Sequence, residues 1–378
     1  MPYSIAFLSK FPPLEGGIAA KTFWLARGLA QRGHKIHIIT HPVSAGREYS
    51  IQGAENIPLE TANLQIHRPP KELPWHLPED NEYSLALLDL TVEVIRKHRI
   101  QILDSGYLIP YGILANLAKR ITGVPYVIRH GGSDLEKFVK SNLLPNVIEE
   151  AITGADVVIT DEVNQGLFES MTKRLVCHPP YVADEQVFTA RSSSQSQWRL
   201  AAIGKINHYW QHKGLGHILE IMRELSPQFE CLMVGQGKGI SDFQRQVGIE
   251  ANSKIKWRPF VPPWEMPGLL RSLDALFIFE TFLPHPVFSN LALEALCTGI
   301  GIVTDRADFI ETYSDVVNIG PRQVLAVSPK DYLQSARAIA EWIQEVPRST
   351  TASCQKISYK DYVSLSEKTY ETLLAANG

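Results

Sequence analysis

The feature that most limits what this chain can fold into is its alternation. Short apolar, β-rich runs are separated by helix-length stretches from one end of the 378 residues to the other. A strand, a crossover helix and a second strand make parallel neighbours that the helices bury on both faces. The first half reads YSIAFLS (3–9), then a helix with Ile18, Thr22, Leu25 and Leu29 spaced by four, three and four, closed by Gly33. HKIHIIT (34–40) and LQIHR (64–68) follow. Helices at 82–98 and 109–122 then flank IQILDSG (100–106), and VPYVIRHGG (124–132) and ADVVIT (155–160) complete the set.

Around ARSSSQSQW (190–198) the composition turns small and polar, and the alternation begins again. Strands are expected at WRLAAIG (198–204), FECLMVGQG (229–237), IKWRPFV (255–261), DALFIFE (274–280) and GIGIVTD (299–305), with helices over 213–225, 239–250, 263–273 and 289–298. The expected organisation is a domain over 1–188, a second over 198–356, and a closing helix over 357–378. That helix carries Tyr359, Tyr362, Tyr370 and Leu374, which suit packing back on the first domain. A chain of this length exceeds what one core supports, so two domains of roughly 180 residues are anticipated. The fold class is α/β, two Rossmann-like doubly wound sheets whose strand ends face each other across a cleft.

Composition removes several classes. A net charge of −3 and 44% hydrophobic residues fit neither a nucleic-acid binder nor a disordered chain. MPYSIAFLSKF has no basic n-region and too short an apolar run for a signal peptide or a span, so the chain reads as cytoplasmic. Cys177, Cys231, Cys297 and Cys354 are far apart, which argues against a zinc ribbon or a disulfide framework and for reduced, mostly buried thiols.

Three places carry chemistry. Gly16 and Gly17 stand at the mouth of the first helix, where free amides, the helix dipole and the absence of Cβ suit an anion; a turn that needs positive φ explains them equally. SKFPPLEGG is too long to be the tight GxGxxG turn of a nicotinamide site. In IGKINHYWQHKG, Lys205 ends a strand and Lys213 opens the next helix, where a cation opposes the dipole unless an anion sits beside it. Two solvated lysines are the bland alternative. In SNLALEALCTG, Ser289 is a helix cap that leaves the amides of Asn290 and Leu291 at the N-terminus. Glu294 lies one turn in among apolar neighbours and needs a hydrogen-bond donor, a ribose hydroxyl or a nearby backbone N–H. His208, His212 and His217 lack the interleaved carboxylate of HExxH, so no metal site is expected there.

Taken in series, FPPLEGGIAAKTFWLARGLAQRGHKIHIIT, RHGGSD, IGKI with HKGLGHILEIMREL, LMVGQG, SNLALEALCTGIGIVTD and the tyrosine-bearing closing helix resemble the GT-B-fold retaining glycosyltransferases of family 4 over essentially the whole chain. The resemblance implies that Gly16 and Gly17 approach the donor diphosphate and sugar. It implies that Lys205 and Lys213 hold the diphosphate, with Lys205 where the family usually has arginine, and that Glu294 binds the ribose. It puts His130 near the reacting carbon and the acceptor, as the candidate for positioning or polarising the transferred group. Arg129, Asp134, Glu280 and His285 are grouped as acceptor-side or unassigned positions.

One departure stands out. Eight residues before Glu294 the family has a second acid that grips the sugar, and here the position is Pro286, preceded by His285, with Glu280 six residues earlier still. The implied reaction is retaining transfer of a sugar from a nucleoside-diphosphate sugar to an acceptor hydroxyl, with no required cofactor or divalent ion. Uridine, guanosine and adenosine diphosphate donors all fit, as do glycan, lipid-linked and small-molecule acceptors. A catalytically inactive nucleotide-sugar-binding subunit is the alternative, and an enzyme using another donor on the same fold a third. No nucleic-acid partner is expected. AAKTFWLARGLAQRGHK, basic with Phe23 and Trp24, leaves a peripheral contact with the inner face of the membrane open.

Overall fold

Each short apolar run becomes a parallel strand, and each stretch of helical spacing covers a sheet face. The structure is a computed structural model. It describes residues 2–42, 49–54, 56–58, 63–69, 81–132, 134–140, 142, 144–172, 174–190, 197–206, 210–247, 255–280, 288–346 and 355–377.

The first sheet joins β1 (Ser4–Leu8), β2 (Lys35–Ile39), β3 (Leu64–His67), β4 (Ile102–Ser105), β5 (Tyr126–Arg129), β6 (Val157–Thr160) and β7 (Leu175–Cys177). Its order is β3-β2-β1-β4-β5-β6-β7, and every pairing is parallel. Phe7 of β1 lies between Ile38 and Asp104, which fixes the register at the sheet centre. The flanking helices are α1 (Gly17–Gln31), α2 (Asn81–His98), α3 (Ile113–Thr122) and α4 (Pro145–Thr153). The buried face of α1 is wider than the expected stripe, because Ala19, Phe23, Trp24 and Ala26 are covered as well. Phe23 and Trp24 are therefore core residues rather than an aromatic surface. Among the described residues no helix is long and apolar enough to cross a membrane.

The second sheet joins β8 (Trp198–Lys205), β9 (Phe229–Gln236), β10 (Ile255–Arg258), β11 (Ala275–Ile278), β12 (Gly301–Thr304) and β13 (Val324–Ala326), in the order β10-β9-β8-β11-β12-β13, again all parallel. Its helices are α5 (Leu215–Glu224), α6 (Ile240–Val247), α7 (Met266–Arg271), α8 (Asn290–Cys297), α9 (Phe309–Ser314) and α10 (Tyr332–Trp342). Both sheets reverse direction beside their first strand, at β1/β4 and at β8/β11, the position where open α/β sheets bind ligands at the carboxyl ends of the strands.

The chain divides into Met1–Tyr181 with Lys360–Gly378, and Val182–Tyr359. The division thus precedes the polar stretch at 190–198. Residues 183–188 already belong to the second unit: Ala183 exchanges two 2.7 Å hydrogen bonds with the Gln355 side chain, and Arg271 donates to the carbonyl of Val187 at 2.8 Å. Of the described cysteines only Cys231 is buried; Cys177, at the sheet edge, is exposed and Cys297 is half-buried. Cys354 lies outside the described residues.

The last helix, α11 (Tyr359–Asn377), packs on the first sheet with Tyr362, Val363, Ser366, Tyr370 and Leu373 buried, Leu373 taking the place expected for Leu374. Arg129 Nε donates to both oxygens of Asp104 at 3.1 and 2.8 Å, and its Nη2 reaches Ser366 and Tyr370 at 3.1 and 3.2 Å. The Tyr370 hydroxyl donates to Asp104 at 2.6 Å. Removing Asp104 leaves a buried guanidinium uncompensated, so Asp104→Ala is expected to cost about 3–5 kcal/mol, and Tyr370→Phe about 1.5–3 kcal/mol. Urea unfolding of the two variants checks the order; equal, negligible losses would contradict it.

Candidate functional site

In the second unit two of the residues singled out in sequence lie at the end of β8, on one side of the β8/β11 reversal. Lys205 is the last residue of β8. The ammonium of Lys213 comes back to the same strand end, 3.5 Å from where a Cβ on Gly204 would stand. Two lysines eight positions apart in sequence thus share one strand end. The loop after β9 closes against them: Gly237 has φ +141° and approaches so near that a Cβ would lie 2.2 Å from the carbonyl oxygen of Ile206. Only glycine fits there.

Ser289 caps α8 by accepting from the amide of Ala292 at 3.3 Å, and its own amide donates to the Tyr313 hydroxyl at 2.8 Å. Glu294 is buried one turn into that helix. Glu280, just past β11, is committed elsewhere. Its carboxylate accepts from Arg306 at 2.9 Å and its amide donates to Asp305 at 2.8 Å. Burial raises its pKa against the pull of Arg306. His285 and Pro286 lie outside the described residues, as does His208. His212 is exposed, and His217 pairs with the Tyr332 hydroxyl at 3.0 Å.

In the first unit, Gly16 caps α1 with φ +113°, a conformation closed to other residues, and no side chain caps that helix. Gly17 is its first residue. His130 follows β5 and is buried, with Nε2 at 2.8 Å from Thr160 Oγ1 and 3.8 Å from Asp161, and its ring stacked on Phe168. Its Nδ1 has no partner among the described residues. Burial and the charge of Lys21 lower its pKa to about 4, so at neutral pH it is an uncharged imidazole with one open nitrogen.

Lys21 is the residue that the sequence reading missed. Set one turn into α1, it is half-buried. Burial first, then the Arg129 charge, lower its pKa to about 8, while Asp161, Asp104 and Asp134 pull the other way. In sequence it is one lysine on a helix; only the fold brings it to the strand ends. His178, after β7, joins the same group, with Nε2 3.2 Å from Thr369 Oγ1 and Nδ1 unpartnered among the described residues. Burial, Arg129 and Lys21 lower its pKa to about 3.

Arg129 and Asp134 are spoken for. Arg129 serves the Asp104 pair. Asp134 accepts backbone N–H groups from Leu108, Gly131 and Leu135 at 3.0, 2.9 and 3.1 Å, tying the loops after β4 and β5 together. Burial nevertheless raises its pKa to about 6.

Residues 16–162 match the family described as glycosyl transferase 4-like domain. Among curated proteins, N-acetyl-alpha-D-glucosaminyl L-malate synthase of Bacillus anthracis is 29% identical over 150 residues, 39% of this chain and 36% of the relative. The match thus spans about a third of that relative's length. Among solved structures, sucrose-phosphate synthase from Thermosynechococcus elongatus superposes with a TM-score of 0.69 at 14% identity, over 99% of this chain and 100% of the other. Anabaena HepE in complex with UDP and glucose gives 0.67 at 16% identity over 98% and 99%. The pneumococcal O-GlcNAc transferase GtfA in complex with UDP and GlcNAc gives 0.64 at 9% identity over 99% of each chain.

The buried histidines have a consequence for acid stability. His130 and His178 stay neutral in the folded chain down to about 4 and about 3, whereas the unfolded chain protonates at the ordinary 6.5. The unfolded state therefore binds more protons between those values. Stability is complete above the ordinary histidine value and is lost on acidification through it toward 4. Urea midpoints at about pH 7.5 and pH 4.5 should show this loss, and His178→Asn should reduce it. An unchanged pH dependence in that variant would remove His178 as a source.

Proposed function

We propose that this chain, which carries a glycosyl transferase 4-like domain at residues 16–162 and has the GT-B fold, is a retaining glycosyltransferase. It moves a sugar from a nucleoside-diphosphate sugar to an acceptor hydroxyl, without a required divalent ion. The observation that carries the proposal is the return of the Lys213 ammonium to the end of β8, the strand whose last residue is Lys205. Lysines at the end of a strand beside the reversal point of a parallel sheet suit a diphosphate. HepE and GtfA hold UDP in their structures, which supports a uridine nucleotide.

In this reading Lys205 and Lys213 hold the diphosphate, the amides of Asn290 and Leu291 at the start of α8 add positive potential, and Glu294 accepts from the ribose. As the bond between the anomeric carbon and the leaving phosphate oxygen breaks, its electron pair passes to the diphosphate. The acceptor oxygen bonds to the same face of the carbon, and its proton ends on the departing phosphate. The lysines act most strongly on the charge that appears during this step, which is how they raise the rate.

The first unit handles the acceptor and the transferred sugar. Gly16 and Gly17 allow close approach of the backbone, and the open Nδ1 of neutral His130 takes a hydroxyl. Lys21 supplies a cation for an acidic acceptor. Support comes from its place among the strand ends and from the relative whose name couples a glucosaminyl group to L-malate.

Lys213→Ala is expected to lower affinity for the bare nucleoside diphosphate by about tenfold or more, since a hydrogen bond to a charged group contributes about 1.5–3 kcal/mol. Calorimetric titration reads this, and unchanged binding would take Lys213 out of the site. His130→Ala should leave nucleotide affinity intact and lower kcat about a hundredfold or more. A panel of nucleotide sugars, screened by thermal shift and then for transfer and hydrolysis, identifies the donor. Tight donor binding with neither transfer nor hydrolysis would reassign the chain to a binding subunit.

A further inference from the structure

Away from the reversal points, three histidines from three separate elements converge: His37 in the middle of β2, His67 at the end of β3 and His98 at the end of α2. His37 Nδ1 and His67 Nε2 are 3.0 Å apart. One ring nitrogen from each residue lies within 4.8 Å of the other two. The rings pack with centroids 5.2 Å apart for His37 and His67, 4.3 Å for His37 and His98, and 5.1 Å for His67 and His98.

Such a cluster is poorly explained as ordinary packing. Imidazole is a polar ring, and among the described residues the His37–His67 contact engages two of the six ring nitrogens. Metal binding uses the neutral imidazole, whose ring nitrogens have lone pairs to give.

We propose that His37, His67 and His98 form a site for a divalent transition metal, with zinc the ion bound by three imidazole nitrogens and a water. Two nitrogens on one tetrahedral zinc, each about 2.0–2.1 Å from it, stand about 3.3 Å apart, close to the spacing His37 and His67 already have. Ring rotation at His98, half-buried at a helix end, draws in the third. The same half-burial of His67 and His98 gives the ion a way in from solvent. Glu93, whose charge acts on His67, offsets part of the added positive charge. An ion here ties β2, β3 and α2 together and takes no part in transfer, so the inference stands independently of the proposed function.

The test begins with the full chain stripped by a chelator. Zinc is then titrated in competition with a chromogenic chelator, and cobalt(II) is added in parallel as a spectroscopic probe. The expected result is one zinc per chain with a dissociation constant of about a micromolar or tighter, and visible cobalt d–d bands of a nitrogen-ligated site. Zinc should also raise the melting temperature by about 5 °C. His67→Ala and His98→Ala, both at partly exposed positions, should each abolish stoichiometric binding and the zinc-dependent shift, with melting in chelator showing that the variants are folded. Sub-stoichiometric uptake by the wild-type chain, or full uptake retained in either variant, would overturn the proposal. Transfer activity equal with and without zinc fits it; activity that needs the ion would overturn the structural role assigned here.

Discussion

The buried pair between Asp104 and Arg129 is the contact on which the first unit depends. It couples adjacent strands at the centre of the sheet and, through Ser366 and Tyr370, fastens the final helix to them. A guanidinium taken out of water is tolerable only with its carboxylate in place and its remaining N–H groups occupied. Burial alone would lower the Arg129 pKa; Asp104, with Tyr370 and Tyr362, more than reverses that and keeps it charged. The permanent charge then reaches further, because it helps lower the pKa of Lys21 and disfavours protonation of His178. A structural ion pair thus sets the electrostatics of the strand ends beside it.

The two units use related topologies for different electrostatic ends. In the second, Lys205 ends a central strand and the Lys213 ammonium returns to that same strand end. In the first, one lysine is balanced among Asp161, Asp104 and Asp134, and the neighbouring histidines are neutral. The buried Glu280–Arg306 pair is the second unit's counterpart of a carboxylate fixed at the reversal point.

Much of the fold was legible because apolar runs and helical stripes are local signals. The order of strands through residue 160, with the helices up to residue 122, and the strands and helices from 198 to 305 could be read in this way, whereas α4 at Pro145–Thr153 was not. What escaped was short or masked by small residues. β7 and β13 have three residues each and are half-buried edge strands, too brief to show a period. α10 turns Ser335 and Ala336 inward beside Ile339 and Trp342, so its buried face does not look apolar. The site divides along the same line. Lys205, Lys213, Ser289 and Glu294 announced themselves by their position relative to strand ends and helix starts. Lys21 did not, since nothing within α1 distinguishes it from a solvated lysine. His37, His67 and His98 are separated by thirty or more residues, and no spacing rule joins them.

The placement of α11 orders events in time. The hydroxyls that complete the Arg129 shell come from residues 366 and 370, at the far end of the chain, while the sheet they seal is built from residues 4–177. During synthesis the second unit emerges in full before those groups leave the ribosome. The Arg129 shell therefore closes only after the intervening unit has been synthesised. The first unit is thus discontinuous in sequence, and what seals its core is encoded on the far side of its neighbour.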